Sequence, residues 1–226
     1  MFLLLFLFAG TLSAQEGDAE GPRTIEDLYL ESDVGLAVID SQLRSEDRTI
    51  QLLGLEVLEA QVERGSIDPE SERYVELLGS ALASGVFRVA NNRQRIPENY
   101  NPEVRIVAAR LLGESSTDEA VEVLYMSLQH DPEPSVRAQA MYSLGRIGKD
   151  PGQRISYLIA RTITFENAQQ ADEAMVYAAV TAIGMLSDAL DGDNLHPDVH
   201  DAVVSVAAGN YNRVIRTRAI EVLSDL

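Results

Sequence analysis

Two histidines four residues apart, His196 and His200 in LHPDVHD, are the side chains whose type and spacing come nearest to metal chemistry. Imidazoles at i and i+4 share one face of a helix, which is the spacing a zinc site uses. Asp198 and Asp201 stand beside them. A metal ion needs three or four ligands, however, and no further ligand follows at a set distance. His196 also precedes Pro197, which puts it at the entry to a helix rather than on its face. Upstream, Asp188, Asp191 and Asp193 in SDALDGDN do not follow the order of an EF-hand loop. The sequence therefore assigns no metal and no cofactor, with His196 and His200 as the pair it offers should one bind.

The cations are fewer and better ordered. Arg105, Arg137 and Arg216 follow Val104, Val136 and Ile215 in three similar contexts. A row of arginines could hold anions. The competing reading is structural: guanidinium groups at a repeated position satisfy acids or helix-end carbonyls between repeats. That second reading is favoured, because Gln51 and Val176 occupy the same position in two further copies. Arg88, Arg93 and Arg95 cluster in FRVANNRQRIPENYNP, where a cationic helix end or a contact with an acidic partner would place them.

Composition narrows the chemistry further. The 226 residues include 18 Lys plus Arg, 36 Asp plus Glu, and neither Cys nor Trp, for a net charge of −18. Without Cys there are no disulfides, thiolate nucleophiles or Cys-bound zinc. An acidic surface cannot release counterions from phosphates and is repelled by anionic lipid, so nucleic acid and membrane surfaces are excluded as partners. Carboxylates are so numerous that chance pairs carry no weight as acid–base catalysts. No nucleophile–base pair or cofactor motif is present, and no enzyme is expected.

The chain opens on MFLLLFLFAG followed by TLSA, an apolar run too short to span a bilayer and of signal-peptide length. Residues 1–14 are expected to be a cleaved signal peptide, although no Lys or Arg precedes the run. No Cys follows it for a lipid anchor, so no membrane insertion is expected after cleavage. Residues 15–23, with Gly, Pro and acids, make a flexible leader.

The elements that must position all of these residues come from an internal repeat. Relative to Arg105 in PEVRIVAARLLGES, Ala108, Leu112 and Gly113 lie three, seven and eight residues on. Arg137 is followed at the same distances by Ala140, Leu144 and Gly145, and Arg216 by Ala219, Leu223 and Ser224. Degenerate copies start at Val176, with Ala179, Ile183 and Gly184, and at Gln51, with Gly54, Leu58 and Glu59. Offsets of −1, +3 and +7 form one apolar stripe along a helix. The alanine in it admits a close neighbour, and Gly113 and Gly145 are expected to end their helices in the left-handed conformation. Each such helix is followed by a second apolar-periodic segment, at 118–129, 153–165 and 197–208, with Thr117 and Asp150 as N-caps. Pro102, Pro132, Pro134, Pro151 and Pro197 fall at or just before helix starts.

DPEPSVRAQAMYSLGRIG resembles the HEAT-like repeat of the phycobilisome-lyase type, in Asp131, Pro132, Pro134, Val136, Arg137, Ala140, Leu144 and Gly145. NPEVRIVAARLLG is nearly as similar, and weaker copies extend the likeness from about residue 46 to the C-terminus. The resemblance implies an all-α fold, an α-solenoid with its second helices on the concave surface. Repeats then cover residues 46–100 (degenerate), 101–131, 132–170 and 171–210. Residues 24–45 form an N-terminal cap with a Thr24/Asp27 capping box, and 211–226 a terminal half repeat. The di-iron members of this architecture bind through paired His-Glu dipeptides, but here the three histidines precede Asp131, Pro197 and Asp201. The repeats are not specific for function; with no catalytic motif present, the function expected is a non-catalytic protein–protein scaffold, exported to a bacterial periplasm on the strength of residues 1–14. Its partner would be a protein segment, basic or of mixed charge. Glu122, Met126, Tyr157 and Arg161 project off the apolar stripes and, with Arg93 and Arg95, are the candidate partner-binding residues. A ligand- or metal-binding envelope protein using the 188–201 loop is the alternative.

Overall fold

A computed structural model describes residues 33–84, 101–168, 172–190 and 194–226. The described residues are helical apart from turns, in an α-solenoid. The helices are α1 (Asp33–Leu43), α2 (Arg48–Glu63), α3 (Glu72–Ala83), α4 (Pro102–Leu112), α5 (Asp118–His130), α6 (Pro134–Ile147), α7 (Arg154–Ala168), α8 (Glu173–Leu190), α9 (Asp198–Ala208) and α10 (Arg213–Ser224). The expected signal peptide, leader and Thr24/Asp27 box, together with Arg88, Arg93, Arg95, Asp191 and Asp193, lie outside the described residues.

Local chemistry starts several of the helices. The side chains of Asp47, Thr117 and Asn212 accept from the backbone N–H groups of Thr49, Ala120 and Ile215. Pro102 and Pro134 occupy first-turn positions, where their missing N–H is no loss. Asp150 caps differently from a plain N-cap. A turn at Pro151–Gln153 intervenes, with Gly152 and Gln153 both at positive φ, and the Asp150 carboxylate reaches across it to the N–H of Ile155 at 2.8 Å. Gln153 in the left-handed region cannot continue a helix, so α7 begins at Arg154 rather than at the expected 153.

The helices sort into two rows. The repeat stripe lies on α2, α4, α6, α8 and α10, and each of these packs on the next in that order. The second helices α3, α5, α7 and α9 each pack against the first helix that follows. Their apolar stripes merge into one continuous core in which Leu58, Leu112, Leu144 and Ile183, the same repeat position, are all fully buried. Tyr74 in α3 joins the rows by donating its hydroxyl to the Leu111 carbonyl at 2.8 Å. Burial pushes that phenol well above its ordinary range.

The glycines of the repeat act otherwise than expected. Gly113 ends α4 but with φ −65, a right-handed value, and Gly145 lies inside α6. The left-handed cap of α6 is Gly148, at φ 73. What Gly113 and Gly145 provide is proximity. A Cβ on Gly145 would stand 2.9 Å from the Ala182 backbone, and one on Gly113 2.9 Å from the Ser143 side chain. A Cβ on Gly184 would meet Val222 at the same distance. Eight residues after the repeat's arginine position, each chain element thus touches the residue six after that position in the next copy. Periodicity located these glycines; the neighbour that requires them lies in another repeat, and a left-handed helix end was the wrong explanation.

Candidate functional site

The first-helix row is closed by polar contacts as well as by glycine. Arg105 is fully buried and donates through Nε to Asp131 at 2.8 Å and through a terminal nitrogen at 3.1 Å. Asp131 precedes the next copy of the repeat and also accepts from the Glu133 N–H, so one carboxylate both pairs the guanidinium and shapes the entry to α6. Ser143 donates to the Ala109 carbonyl at 2.8 Å, and Arg146 to that of Gly113 at 3.1 Å. Arg110 grips Glu59 with both terminal nitrogens, and this hydrogen-bonded cation holds the Glu59 carboxyl below its usual range.

The repeated arginines fare differently from one another. The Nε of Arg137 is buried without a hydrogen-bond partner, and Arg216 is exposed, donating to the Ala207 carbonyl at 3.2 Å. One position, three environments: these side chains do not line up as an anion-binding ladder.

The second-helix row carries the side chains expected to bind a partner. Glu122 and Met126 on α5, and Tyr157 and Arg161 on α7, are all exposed. Glu122 pairs with Arg154, whose guanidinium also lies over the Tyr125 ring, 4.7 Å from its centre. Arg161 lies over Tyr157, and the Tyr157 ring meets His196 with centroids 4.7 Å apart. Phe165 and Val204 extend this exposed apolar surface along α7 and onto α9. A chain of aromatic and cationic side chains therefore runs from α5 across α7 to the start of α9. Arg93 and Arg95 cannot be placed on it, being outside the described residues.

His196 and His200 do not converge. The N–H of His196 donates to Ser156 Oγ, and its Nδ1 accepts from the Asp198 N–H, so its ring is tied to the turn before α9. His200 lies beyond the start of α9 and is two-thirds exposed, with Asp201 beside it at 3.6 Å. Among the described residues no three of His, Asp or Glu are grouped to hold a metal ion.

Between α3 and α5 lies a cavity of about 280 Å³, with Gly79, Leu82 and Ala83 on one wall and Val123, Met126 and Ser127 on the other. The sequence reading assigned α5 to a binding face but not α3. The available signal was the spacing of small residues in LGSALAS, four apart at Gly79 and Ala83, which keeps one face of α3 low.

An α-solenoid of stacked helix pairs is the architecture of a repeat protein. The family model for HEAT repeats matches residues 90–164, a stretch that spans the Arg105–Asp131 latch and helices α4 to α6 with most of α7. That stretch is HEAT-like. No curated protein matches the chain.

Proposed function

We propose that this protein is a non-catalytic scaffold or adaptor that binds another protein through its second-helix row. The observation that supports this most is the exposed series Met126, Tyr157, Arg161 and Phe165. Packing does not consume these side chains, and Met, aromatic and Arg residues are those that interfaces favour. HEAT repeats are commonly interaction scaffolds, which agrees with a protein partner. The repeat is of the phycobilisome-lyase type in the residues around Asp131 to Gly145. With residues 1–14 as an export signal, the site of action is the envelope of a bacterium. In this reading the chain recognises neither nucleic acid nor lipid, since its charge of −18 opposes both.

Affinity capture from the native host tests the reading. Wild-type protein should retain a stoichiometric partner that Tyr157→Ala/Arg161→Glu loses while its helical circular dichroism is unchanged. Equal capture by both forms would remove the second-helix row from the function. Mass spectrometry of the native chain tests export: a mature N-terminus near Gln15 supports it, and retained Met1 contradicts it.

A further inference from the structure

The cavity between α3 and α5 is half of a longer groove. Toward the N-terminal ends of the same two helices it continues into a recess of about 520 Å³ that shares Gly79 and Val123 with the first. The two halves differ in chemistry. Around Leu82, Ala83, Val123 and Met126 the walls are apolar, while the other half is bounded by Glu70, Glu72, Glu76 and Glu119 with no basic side chain among the residues lining it. Two of these carboxylates are engaged: Glu70 accepts from Ser116, and Glu76 pairs with Arg73. Glu72 and Glu119 are exposed and have no partner among the described residues. Both sit in first turns, where the helix dipole favours acids, but Glu76 lies a turn further in and Glu70 precedes the helix. The dipole accounts for Glu72 and Glu119 and the partners of Glu70 and Glu76 for the other two; together they leave this end of the groove acidic.

The apolar half carries one unsatisfied polar group. Ser127 is 9% exposed and lines the cavity, and its hydroxyl has no hydrogen-bond partner among the described residues. That oxygen is itself shielded from solvent, so it lies behind the cavity wall and is not a contact for a bound segment.

We propose that this groove binds a segment of a partner protein in which an aliphatic or aromatic side chain, seated between Ala83 and Met126, adjoins two Lys or Arg residues that face Glu72 and Glu119. The proposal rests on the scaffold reading and adds the place and the chemistry of recognition. From Glu72 to Ala83 the groove is about 16 Å long at the rise of a helix, room for about five extended residues. Apolar burial supplies the anchor, and the facing charges supply selectivity and salt dependence.

The test is fluorescence polarisation on the full chain with labelled hexapeptides. One carries two lysines beside leucine and phenylalanine. The others are its reversed order, a copy with glutamates for the lysines, and a copy with serines for the apolar pair. One order of the lysine peptide should bind, with affinity falling as salt rises. Its affinity should drop about tenfold when Ala83→Trp fills the apolar half, and about three- to tenfold for Glu72→Gln/Glu119→Gln. Both variants alter exposed positions and should keep the wild-type melting curve. Equal binding of the lysine and glutamate peptides, indifference to Ala83→Trp, or no binding by any peptide would overturn the proposal. If none binds while capture still depends on Tyr157 and Arg161, the groove assignment fails alone; if capture fails as well, the scaffold reading fails with it.

Discussion

Two pairs of neighbouring helices, α6 with α8 in the first-helix row and α3 with α5 in the second, meet differently. In the first-helix row α6 comes so near α8 that a single methyl on Gly145 would strike backbone, and Arg105 is fully enclosed with Asp131. In the second-helix row a Cβ on Gly79 would rest 3.6 Å from Val123, an ordinary contact, and the ion pair of Glu122 with Arg154 is open to water. A repeat protein needs each unit to lean on its neighbour, and here α7 packs on α9 as the first helices pack on one another. Both rows expose apolar side chains, Tyr142 and Tyr177 on the first helices and Met126, Tyr157 and Phe165 on the second. On the proposed function, the tight contacts around Gly145 and Arg105 serve stability and the exposed side chains of α5 and α7 serve recognition.

Substitutions should reproduce that separation. The largest effect is expected for Asp131→Ala, which strands the buried Arg105 guanidinium and should cost about 3–5 kcal/mol in urea unfolding. Next comes a matched pair. Gly145→Ala should destabilise by about 1–2 kcal/mol, overpacking exceeding the gain in helix propensity. Gly79→Ala, with space for its methyl, should instead stabilise by up to about 1 kcal/mol. If both glycines respond alike, the difference in row spacing is wrong. Tyr74→Phe removes the hydroxyl that bonds Leu111 between the rows and should cost about 1 kcal/mol.

The smallest effect concerns pH. Arg110 lowers the Glu59 carboxyl in the folded protein, so the unfolded chain binds that proton more readily. The pair therefore stabilises the fold above the ordinary carboxylate range, and its contribution is lost as pH falls through the lowered folded value. Glu59→Gln should be less stable than wild type near pH 7, and the two should converge in acid. Both side chains are a third or more exposed, so the effect is modest. A gap that widens on acidification would contradict the assignment.

Much of the fold was legible because the stripe at −1, +3 and +7 has the helical period and recurs. The second helices at 118–129 and 197–208 emerge within a residue of their bounds for that reason, and Thr117 caps as its type and place suggest. The glycines were misread because a requirement for closeness is set by the facing residue, Ser143 or Ala182, and no local window contains it. The same holds for the arginines. Arg105 has Asp131 six residues before the next copy's arginine, whereas position 170, the matching place for Arg137, is Gln. Laid out by repeat, that comparison separates a paired arginine from one whose Nε is without a partner, which Arg position alone does not. The exposed face of α5 and α7 was visible from helical projection. The groove was not, because α3 belongs to the most degenerate copy and its small residues signal nothing until α5 is placed beside them.

Two double-mutant cycles test the separation of the rows most directly. One combines Arg105→Met with Asp131→Asn, the other Arg154→Gln with Glu122→Gln, each read by urea unfolding. The account predicts a coupling above about 2 kcal/mol for the enclosed pair of the first-helix row. For the pair on the second-helix row it predicts less than about 1 kcal/mol. Couplings of equal size would show that both rows bear the fold alike, and the second-helix row would lose its claim to be the surface reserved for a partner.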